Sequence, residues 1–417
     1  NLNKAYIYAS KNLNKIEKRK VLKDFKNNYL NYRLNWKGQP KKCFDNKIFG
    51  ENFKNKNINI LCLDIELASI CDLACPHCFR QFVPTPDKIM SKELAFKLID
   101  EASIMNIPSM KFNWRGEPLL NPKASEIIRY AKEKGVLETI INTNATMLTN
   151  SVAENLIDSG LDLMIFSFDG GTKNSYEKMR PGRFKDNNFE DVIKNIKNFA
   201  ILKKKKNSVF PRTKIQMVLT KDTRSELDSF LNIFKECVDD VSVKQYSERG
   251  GKLEDINEEM KEKLIKKLGK NVKDLDPQSS VMFDNENNIY ISSERLPCEQ
   301  PFQRLLITYD GKVSMCCYDW GVEHSVGFVD DLAINNGTIE YDKILEKSQK
   351  KVKSFELMNL RKINNYSKPL NKACSLDKIW NNKEINNVRK LHINNSIEDL
   401  EICKKCTFKD TYKWIKQ

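Results

Sequence analysis

Between residues 57 and 248 the sequence alternates short apolar runs with longer amphipathic segments. This alternation predicts strands joined by helices, as in a parallel α/β sheet or barrel. The six predicted strands are Ile58–Ile70, Ser109–Trp114, Thr139–Thr143, Leu163–Phe168, Lys214–Leu219 and Val241–Gln245. The predicted helices between them are Ser91–Ile104, Pro122–Lys134, Asn150–Asp158, Phe189–Lys203 and Arg224–Cys237. Functional groups are expected at the carboxyl ends of the strands.

The flanking segments have different patterns. The predicted organisation is a basic N-terminal extension at 1–56, the strand-helix region at 57–248, a helical linker at 249–279 and a C-terminal domain at 280–417. The extension contains one possible amphipathic helix, Leu13–Tyr32, expected to pack on the barrel. In the C-terminal domain, Leu305–Tyr318 places apolar runs on both sides of a glycine turn and predicts a hairpin. A polar stretch at about 329–373 is low in aromatic residues and predicts an insertion.

The chain has 417 residues, of which 40% are hydrophobic, which allows one large or two ordinary domains. No apolar run approaches the roughly 20 residues that a membrane-spanning helix needs, and the first residues lack the apolar segment of a signal peptide. We therefore expect a cytoplasmic protein with no membrane partner. The net charge of +15 comes from lysines without interleaved aromatic residues, so no nucleic-acid partner is expected.

Twelve cysteines in such a chain are better explained as metal ligands than as disulfides. Cys71, Cys75 and Cys78 are spaced C-x3-C-x2-C directly after the first predicted strand. Three thiolates can hold three corners of an iron-sulfur cubane and leave one iron open to another molecule. The alternative is a zinc site that adds His77 to the same cysteines. Because His77 lies between two of those cysteines, joint tetrahedral ligation would be awkward.

This cysteine spacing, with the aromatic His77 just before Cys78, resembles the signature of the radical S-adenosylmethionine (radical SAM) superfamily. The resemblance implies a partial (β/α)6 TIM-like barrel and a 4Fe-4S cluster whose open iron binds S-adenosylmethionine (SAM). It also implies an external one-electron reductant such as flavodoxin or ferredoxin. One electron cleaves SAM, and the resulting 5'-deoxyadenosyl radical abstracts hydrogen from the substrate. The cofactors supply the difficult chemistry, and the protein positions and shields them.

Three further segments resemble the SAM-binding motifs of that superfamily. The segment around Arg115-Gly116-Glu117-Pro118 is similar to its Gly-Gly-Glu-Pro motif, with Arg115 in place of the first glycine. Thr143-Asn144-Ala145-Thr146 and Ser167-Phe168-Asp169-Gly170 follow the next two predicted strands. Taken alone, each would be an ordinary turn. The resemblance implies that the cofactor-binding residues are His77, Gly116, Glu117, Asn144, Ser167 and Asp169.

The C-terminal third carries a second set of cysteines, which resembles the SPASM or twitch type of auxiliary-cluster domain. The implied ligands of one auxiliary 4Fe-4S cluster are Cys298, Cys316, Cys403 and Cys406. Cys317 is adjacent to Cys316 and is the alternative ligand at that position. A structural zinc site with four thiolates is the other explanation of this set. The four remaining cysteines, expected to be buried free thiols, are Cys43, Cys62, Cys237 and Cys374.

The sequence therefore favours a radical SAM oxidoreductase that modifies a peptide or protein by hydrogen abstraction and oxidation or cross-linking. One alternative is a radical SAM enzyme acting on a small carbohydrate-like substrate. A second alternative, of a different class, is a non-catalytic iron-sulfur or zinc binding protein. Glu117, Asn144 and Ser167 argue against the non-catalytic alternative, because an electron carrier has no use for an ammonium-binding carboxylate.

Overall fold

The central sheet of the computed structural model contains the six predicted strands in chain order. They are β1 Cys62–Ile65, β2 Ser109–Lys111, β3 Glu138–Thr143, β4 Leu163–Ser167, β5 Arg212–Leu219 and β6 Asp240–Gln245. Each pairs in parallel with the next. Among the described strands β6 lies at an edge, so the six units form an open sheet. The predicted α/β class and partial (β/α)6 TIM-like barrel are confirmed.

The structure describes residues 15–56, 58–81, 83, 85–220, 223–245, 281–283, 289–322, 324–334, 372–404, 406, 408 and 411–416. The predicted linker at 249–279 lies outside these residues, as does most of the predicted insertion. The two ends of the insertion are described and lie together, since the Ala373 amide donates to Asp331 Oδ1 at 3.1 Å.

Helices alternate with the strands as the sequence pattern predicts. The described α-helices are α1 Lys15–Asp45, α2 Glu51–Asn55, α3 Lys92–Ile104, α4 Ala124–Glu133, α5 Asn150–Asp158, α6 Lys173–Met179, α7 Phe189–Lys205, α8 Leu227–Phe234, α9 Leu376–Trp380, α10 Lys383–Ile393 and α11 Glu401–Lys404. Ser91 caps α3 by accepting a hydrogen bond from the Leu94 amide. Most bounds agree with the predicted helices to within two residues. The predicted helix Arg224–Cys237 instead begins as a 3-10 turn before α8.

The two faces of β1 have different chemistry because successive side chains of a strand point to opposite sides. Leu63 and Ile65 are fully buried in the apolar core that the helices cover. Asp64 and Glu66 are buried carboxylates. Asp64 pairs with Arg304 at 3.0 Å, and Glu66 pairs with Arg115. At β1, therefore, one face of the sheet is apolar and the other carries two buried carboxylates, each paired with an arginine.

The strand β1 is shorter than the predicted Ile58–Ile70. Beyond Ile65 the chain leaves the sheet, and the amides of Ser69 and Ile70 both point to the Lys88 carbonyl oxygen. An apolar run specifies burial, but it does not specify which backbone groups find a partner strand. The cysteine loop therefore begins on irregular chain that leads away from the strand end.

The C-terminal region extends the same sheet. It contributes β9 Arg304–Ile307, β10 Lys312–Ser314 and β11 Ser325–Phe328. β9 pairs in parallel with β1, and β10 pairs antiparallel with β9 and β11. The predicted hairpin is therefore present, and the C-terminal region also contains the short helices α9, α10 and α11. A second, antiparallel sheet contains β7 Val281–Phe283, β8 Ile289–Arg295 and β12 Tyr412–Lys416. The domain boundary at 249–279 stays a prediction. The main sheet contains strands from both sides of that boundary, β1 to β6 and β9 to β11.

The helix α1 covers the amino-terminal end of the parallel sheet. The hydroxyl groups of Tyr29 and Tyr32 donate to the Glu138 carboxylate at 3.1 and 3.0 Å. Gln39 Nε2 donates to the carbonyl oxygens of Asn59 and Phe302. The extension thus packs on the barrel as expected, but its helix is longer than Leu13–Tyr32 and passes through Pro40. Among the described residues, no helix is long and apolar enough to cross a membrane.

Candidate active site

The cysteine trio lies in a loop that follows β1 at the carboxyl end of the parallel strands. The Cys78 amide donates to the Cys75 carbonyl oxygen at 3.0 Å, which closes a turn between these two cysteines. The Ala74 amide donates to the Pro181 carbonyl oxygen at 2.8 Å, and the Arg183 amide donates to that of Asp72 at 2.7 Å. The loop is therefore held by the segment that follows α6, far away in sequence.

The three thiols share a buried environment. Burial raises the pKa of Cys75 to about 12 and also raises the pKa values of Cys71 and Cys78. The amides of Leu73 and Arg80 hydrogen-bond to the sulfurs of Cys71 and Cys78, which favours the thiolates. Without a cation these thiols stay protonated at neutral pH, whereas iron would remove their protons. Three largely buried thiols on one loop fit a cluster better than solvent-exposed redox chemistry.

Arg80 braces the same loop. Its guanidinium donates to the carbonyl oxygens of Ser69 and Thr85 and contacts the Asp87 carboxylate. Asp87 also accepts two hydrogen bonds from Arg183, each 2.7 Å long. These bonds to Arg183 lower the pKa of Asp87, so the carboxylate is ionised near neutral pH and links two arginines beside the cysteines.

Glu117 lies in the turn that follows β2, just before a 3-10 helix, and is almost fully buried. Its carboxylate accepts hydrogen bonds from Thr143 Oγ1 at 2.7 Å, the Asn144 amide at 2.8 Å and the Leu119 amide at 3.1 Å. Burial is the dominant effect and raises the pKa of Glu117 to about 7. The carboxyl is therefore positioned rigidly and is easily ionised when a cationic or N–H-donating ligand approaches.

Gly116 is required by packing against the segment that precedes the cysteines. A Cβ atom at this position would lie 2.3 Å from the Ile70 carbonyl oxygen and 2.5 Å from that of Ala68. The next amide, of Glu117, donates to the same Ile70 oxygen at 2.9 Å. The glycine therefore lets the turn after β2 contact the cysteine loop directly.

Asn144 connects the turn after β3 to both neighbouring segments. Besides the bond from its amide to Glu117, its Nδ2 donates to Asp72 Oδ1 at 2.8 Å. Asp72 also accepts from Thr146 Oγ1 at 2.5 Å. Ala145 has a φ of 62°, the left-handed conformation that favours glycine. Asn144 thus acts mainly through Asp72 and Glu117.

Asp169 is fully buried and contacts other side chains of the site. Its carboxylate pairs with Arg180 at 2.6 Å and lies 3.4 Å from His77 Nε2. It also accepts from the Val218 amide at 2.7 Å. Burial lowers the pKa of His77, so the imidazole is neutral. Asp169 and Arg180 therefore form a buried ion pair beside the cysteine loop. From the sequence alone, Arg180 could not be distinguished from an ordinary residue at a helix end.

Ser167 is the last residue of β4 and is partly buried. It is in register with Gln216 of β5. Glu117 follows β2, Asn144 follows β3 and Ser167 ends β4, so the three residues lie at successive strand ends. The predicted SAM-binding residues occupy one edge of the sheet.

Arg115, which replaces a family glycine, has a structural explanation. Its guanidinium donates to both oxygens of Glu66, at 2.6 and 2.8 Å, and both residues are buried. Glu66 also accepts from the Tyr309 amide in the C-terminal hairpin at 3.1 Å. The neighbouring Trp114 donates to the Cys317 carbonyl oxygen at 3.3 Å. This turn therefore joins the cysteine trio to the C-terminal cysteines.

The structure brings the C-terminal cysteines together from distant parts of the chain. Burial raises the pKa of Cys298, and the nearby thiols of Cys403, Cys406 and Cys317 raise it further. Hydrogen bonding to Cys317 and then burial raise the pKa of Cys316, which also lies near Cys298 and Cys406. Five thiols thus lie near one another, and four of them would be enough for a fully ligated iron-sulfur cluster.

A shared backbone pattern distinguishes Cys316. The amide two residues later points to the sulfur in three of these cysteines: Tyr318 to Cys316 at 3.3 Å, Phe408 to Cys406 at 3.4 Å, and Gln300 to Cys298. Cys71 and Cys78 have the same contact. Amide hydrogen bonds of this kind stabilise thiolate ligands. They support Cys316 as the ligand at the position where the sequence left Cys317 as an alternative.

His392 is the functional candidate that sequence reasoning missed. It lies in the last turn of α10 and is 1% exposed. Its Nδ1 accepts from the Cys298 amide at 3.2 Å, and its Nε2 lies 3.6 Å from Cys403 Sγ. Burial, helped by Arg295, lowers the pKa of His392 to about 4. A single histidine in an amphipathic helix carries no sequence signal for this contact.

Within the described part of the chain, no three His, Cys, Asp or Glu side chains surround one common metal ion. A cubane attaches each cysteine to a different iron, so its ligands need not converge on one point. Of the remaining cysteines, Cys43 and Cys62 are buried free thiols, as expected, and burial raises the pKa of each. Cys237 and Cys374 are partly buried against the core.

Comparison with known proteins identifies the class to which this site belongs. A model of the radical SAM superfamily matches residues 65–233, and a model of the SPASM iron-sulfur cluster-binding domain matches residues 298–407. The chain therefore contains a radical SAM domain and a C-terminal SPASM iron-sulfur cluster-binding domain. These domains imply a 4Fe-4S cluster, SAM and auxiliary iron-sulfur. The predicted family and cofactor classes are confirmed.

Curated relatives match parts of the chain. A tungsten-containing aldehyde ferredoxin oxidoreductase cofactor-modifying protein of Pyrococcus furiosus is 34% identical over 110 residues, 26% of this chain and 30% of the relative. A Methanosarcina barkeri AdoMet-dependent heme synthase is 32% identical over 28% of this chain and 34% of its own length. The chain thus spans about a third of these two relatives. A GTP 3',8-cyclase of Limosilactobacillus fermentum is 27% identical over 63% of this chain and 80% of its own length.

Solved structures show more distant similarity. Streptococcus suis SuiB bound to precursor peptide SuiA has a TM-score of 0.46 and 19% identity, covering 65% of this chain and 63% of that chain. The protein anSMEcpe with bound AdoMet has a TM-score of 0.48 and 16% identity, covering 83% and 88%.

Proposed function

We propose that this protein is a radical SAM enzyme that abstracts hydrogen from a peptide or protein and oxidises or cross-links it with the help of an auxiliary 4Fe-4S cluster. The observation that carries the proposal is the placement of the buried Glu117 carboxyl beside the three-thiol loop. Gly116 packs against the residues just before Cys71, so the two motifs form one site.

The roles of the protein groups follow from their positions. Cys71, Cys75 and Cys78 would hold three irons, and the open iron with SAM would supply a 5'-deoxyadenosyl radical when an external reductant such as flavodoxin or ferredoxin donates an electron. Glu117 would accept N–H bonds from the amino group of SAM. Its own three hydrogen bonds keep the carboxylate in place without reorganisation.

The remaining residues of the site support those that touch the cofactors. Asn144 and Asp72 fix the cysteine loop to the end of β3, and Asp169 with Arg180 braces it from the side of β4. His77 and Ser167 border the same edge of the sheet. We assign the auxiliary cluster to Cys298, Cys316, Cys403 and Cys406, where it would accept or relay the electron that the substrate radical gives up as it is oxidised.

A small polar molecule, carbohydrate-like or nucleotide-like, is the second candidate substrate. The curated relative that is matched over 80% of its own length is named a GTP 3',8-cyclase. The class can be tested with peptide and small-molecule fractions of a deuterated bacterial culture. Deuterium in 5'-deoxyadenosine after incubation with the peptide fraction supports our proposal. Transfer only from the small-molecule fraction favours the second candidate.

The activity itself is tested by measuring 5'-deoxyadenosine under anaerobic, reducing conditions after cluster reconstitution. The wild type should produce it from SAM, and Cys75→Ala should reduce the yield to background. Cys237→Ala is the matched control, because this thiol is partly buried and remote from both cysteine sets, and its yield should be unchanged. Product formation by Cys75→Ala would exclude the proposed site. A wild type that holds iron but forms no product would support the non-catalytic alternative.

A further inference from the structure

One buried imidazole contacts two of the four C-terminal cysteine ligands that we assign. His392 reaches Cys298 through its Nδ1 atom and Cys403 through its Nε2 atom, at 3.2 and 3.6 Å. The two cysteines lie more than a hundred residues apart in sequence, and His392 joins them from a third segment, α10. With 1% exposure, the ring has no competing contact with bulk water.

The contact with Cys298 determines the protonation state of the ring. The Cys298 backbone N–H is a donor, so Nδ1 must present its lone pair and carry no proton. A neutral imidazole then carries its only proton on Nε2. That N–H group faces Cys403 Sγ, which becomes a strong acceptor once it is a metal-bound thiolate.

The C-x2-C segment is held so that this contact persists. Arg295 donates to the carbonyl oxygens of Cys406 and Cys403, at 2.8 and 3.0 Å. The Cys406 amide donates to the Cys403 carbonyl oxygen at 3.1 Å. The backbone of Cys403 is therefore held near His392 by these bonds.

We propose that His392 is a positioning residue that sets the reduction potential of the auxiliary cluster through an Nε2–H···Sγ hydrogen bond to Cys403. A hydrogen bond to a ligand sulfur withdraws electron density and favours the reduced cluster, so it raises the potential. An auxiliary cluster that accepts an electron from substrate benefits from a higher potential. The inference rests on the proposed function, because it requires a cluster on these cysteines.

The test uses the full chain with Cys71, Cys75 and Cys78 changed to alanine, so that only the auxiliary cluster contributes to the signal. Iron and sulfide are measured first, and the potential is then measured by anaerobic redox titration with optical and electron paramagnetic resonance detection. In this background His392→Asn can still accept from the Cys298 amide but is too short to reach Cys403. His392→Gln extends an amide N–H group to about the position of Nε2.

The expected result is a more negative potential for His392→Asn and a potential close to that of the parent protein for His392→Gln. Leu391→Ala is the control, since it removes packing from the same helix turn and should leave the potential unchanged. Equal potentials for His392→Asn and the parent, with iron retained, would overturn the proposal. Loss of iron from both His392 variants but not from Leu391→Ala would also overturn it, because His392 would then be a ligand. A parent background that holds no iron would instead refute the auxiliary cluster of the proposed function.

Discussion

The two cysteine-containing regions solve the problem of cluster binding in different ways. The catalytic trio occupies eight consecutive residues, 71–78, on one loop, whereas the four C-terminal cysteines come from segments spread between residues 298 and 406. In the first region the fold shapes the surroundings of a set that is already local. In the second, the tertiary structure creates the set.

Their electrostatic surroundings differ as well. The carboxyl groups of Glu117 and Asp72 lie near Cys71, and Asp169 lies near Cys75. These acidic groups suit a site that also receives the amino group of SAM. The neighbours of the C-terminal thiols are mostly each other, together with His392 and Arg295. Under our proposal, the open cluster site carries groups for a second ligand, whereas the closed site carries groups that tune the metal.

The largest effect is expected when Cys316 and Cys317 are changed separately. We expect Cys316→Ser to lose the auxiliary cluster, about four irons per chain, because it removes one of four ligands. Cys317→Ser should keep it, and both variants should still cleave SAM at the separate trio. Iron analysis and 5'-deoxyadenosine yield measure the two effects. If Cys317→Ser lost the iron and Cys316→Ser kept it, Cys317 would be the ligand.

The Arg115–Glu66 ion pair connects the turn after β2 to the C-terminal hairpin. Arg115→Ala leaves the buried Glu66 carboxylate without its cation and should destabilise the protein by about 3–5 kcal/mol. Chemical denaturation measures the free energy of unfolding. The double variant Glu66→Leu/Arg115→Met removes both charges and should recover most of that loss. If the double variant were as unstable as Arg115→Ala, lost packing, and not the unpaired charge of Glu66, would be the main cause of the destabilisation.

Glu117 gives the region of the cysteine trio a pH dependence of stability near neutral pH. Its folded-state pKa of about 7 exceeds the usual 4.5, so the folded protein keeps a proton that the unfolded chain has released. The stability contribution of Glu117 therefore falls as the pH rises from about 5 to 7 and is level above that. Relative to Glu117→Gln, the iron-free wild type should lose about 2–3 kcal/mol of unfolding free energy between pH 5 and pH 8.

Thermal or chemical unfolding of both proteins across this pH range checks the prediction. Glu117→Gln is the matched control because it keeps the size and hydrogen-bonding capacity of the side chain without the charge. If the free energies of unfolding of the two proteins changed with pH in the same way, the pKa of the Glu117 carboxyl would not be raised in the folded protein.

Gly116→Ala should have the smallest effect on stability. The added methyl group meets backbone oxygens of Ile70 and Ala68, so the cysteine loop must shift, at a cost of about 1–3 kcal/mol. The shift should lower iron content at the trio and leave the C-terminal cluster intact. Gly38→Ala is the control, since nothing lies within 4 Å of a Cβ atom there. Equal loss of iron from both regions would show that the regions assemble together.

The sequence by itself determined the order of strands and helices, the cysteine trio and the turn motifs at successive strand ends. These features depend on residues close together in the chain, where hydrophobic period and backbone conformation act directly. Ala145 illustrates the limit, since its motif was recognisable but its left-handed backbone was not visible without the structure.

Only the tertiary structure decided which distant groups meet. It placed β9 beside β1, paired Arg115 with Glu66, made Asp169 a buried partner of Arg180, and inserted His392 between Cys298 and Cys403. None of these contacts leaves a periodic pattern in the sequence. Each depends on how buried polar groups find partners once the chain has folded, because an unpaired buried charge or hydrogen-bonding group is costly.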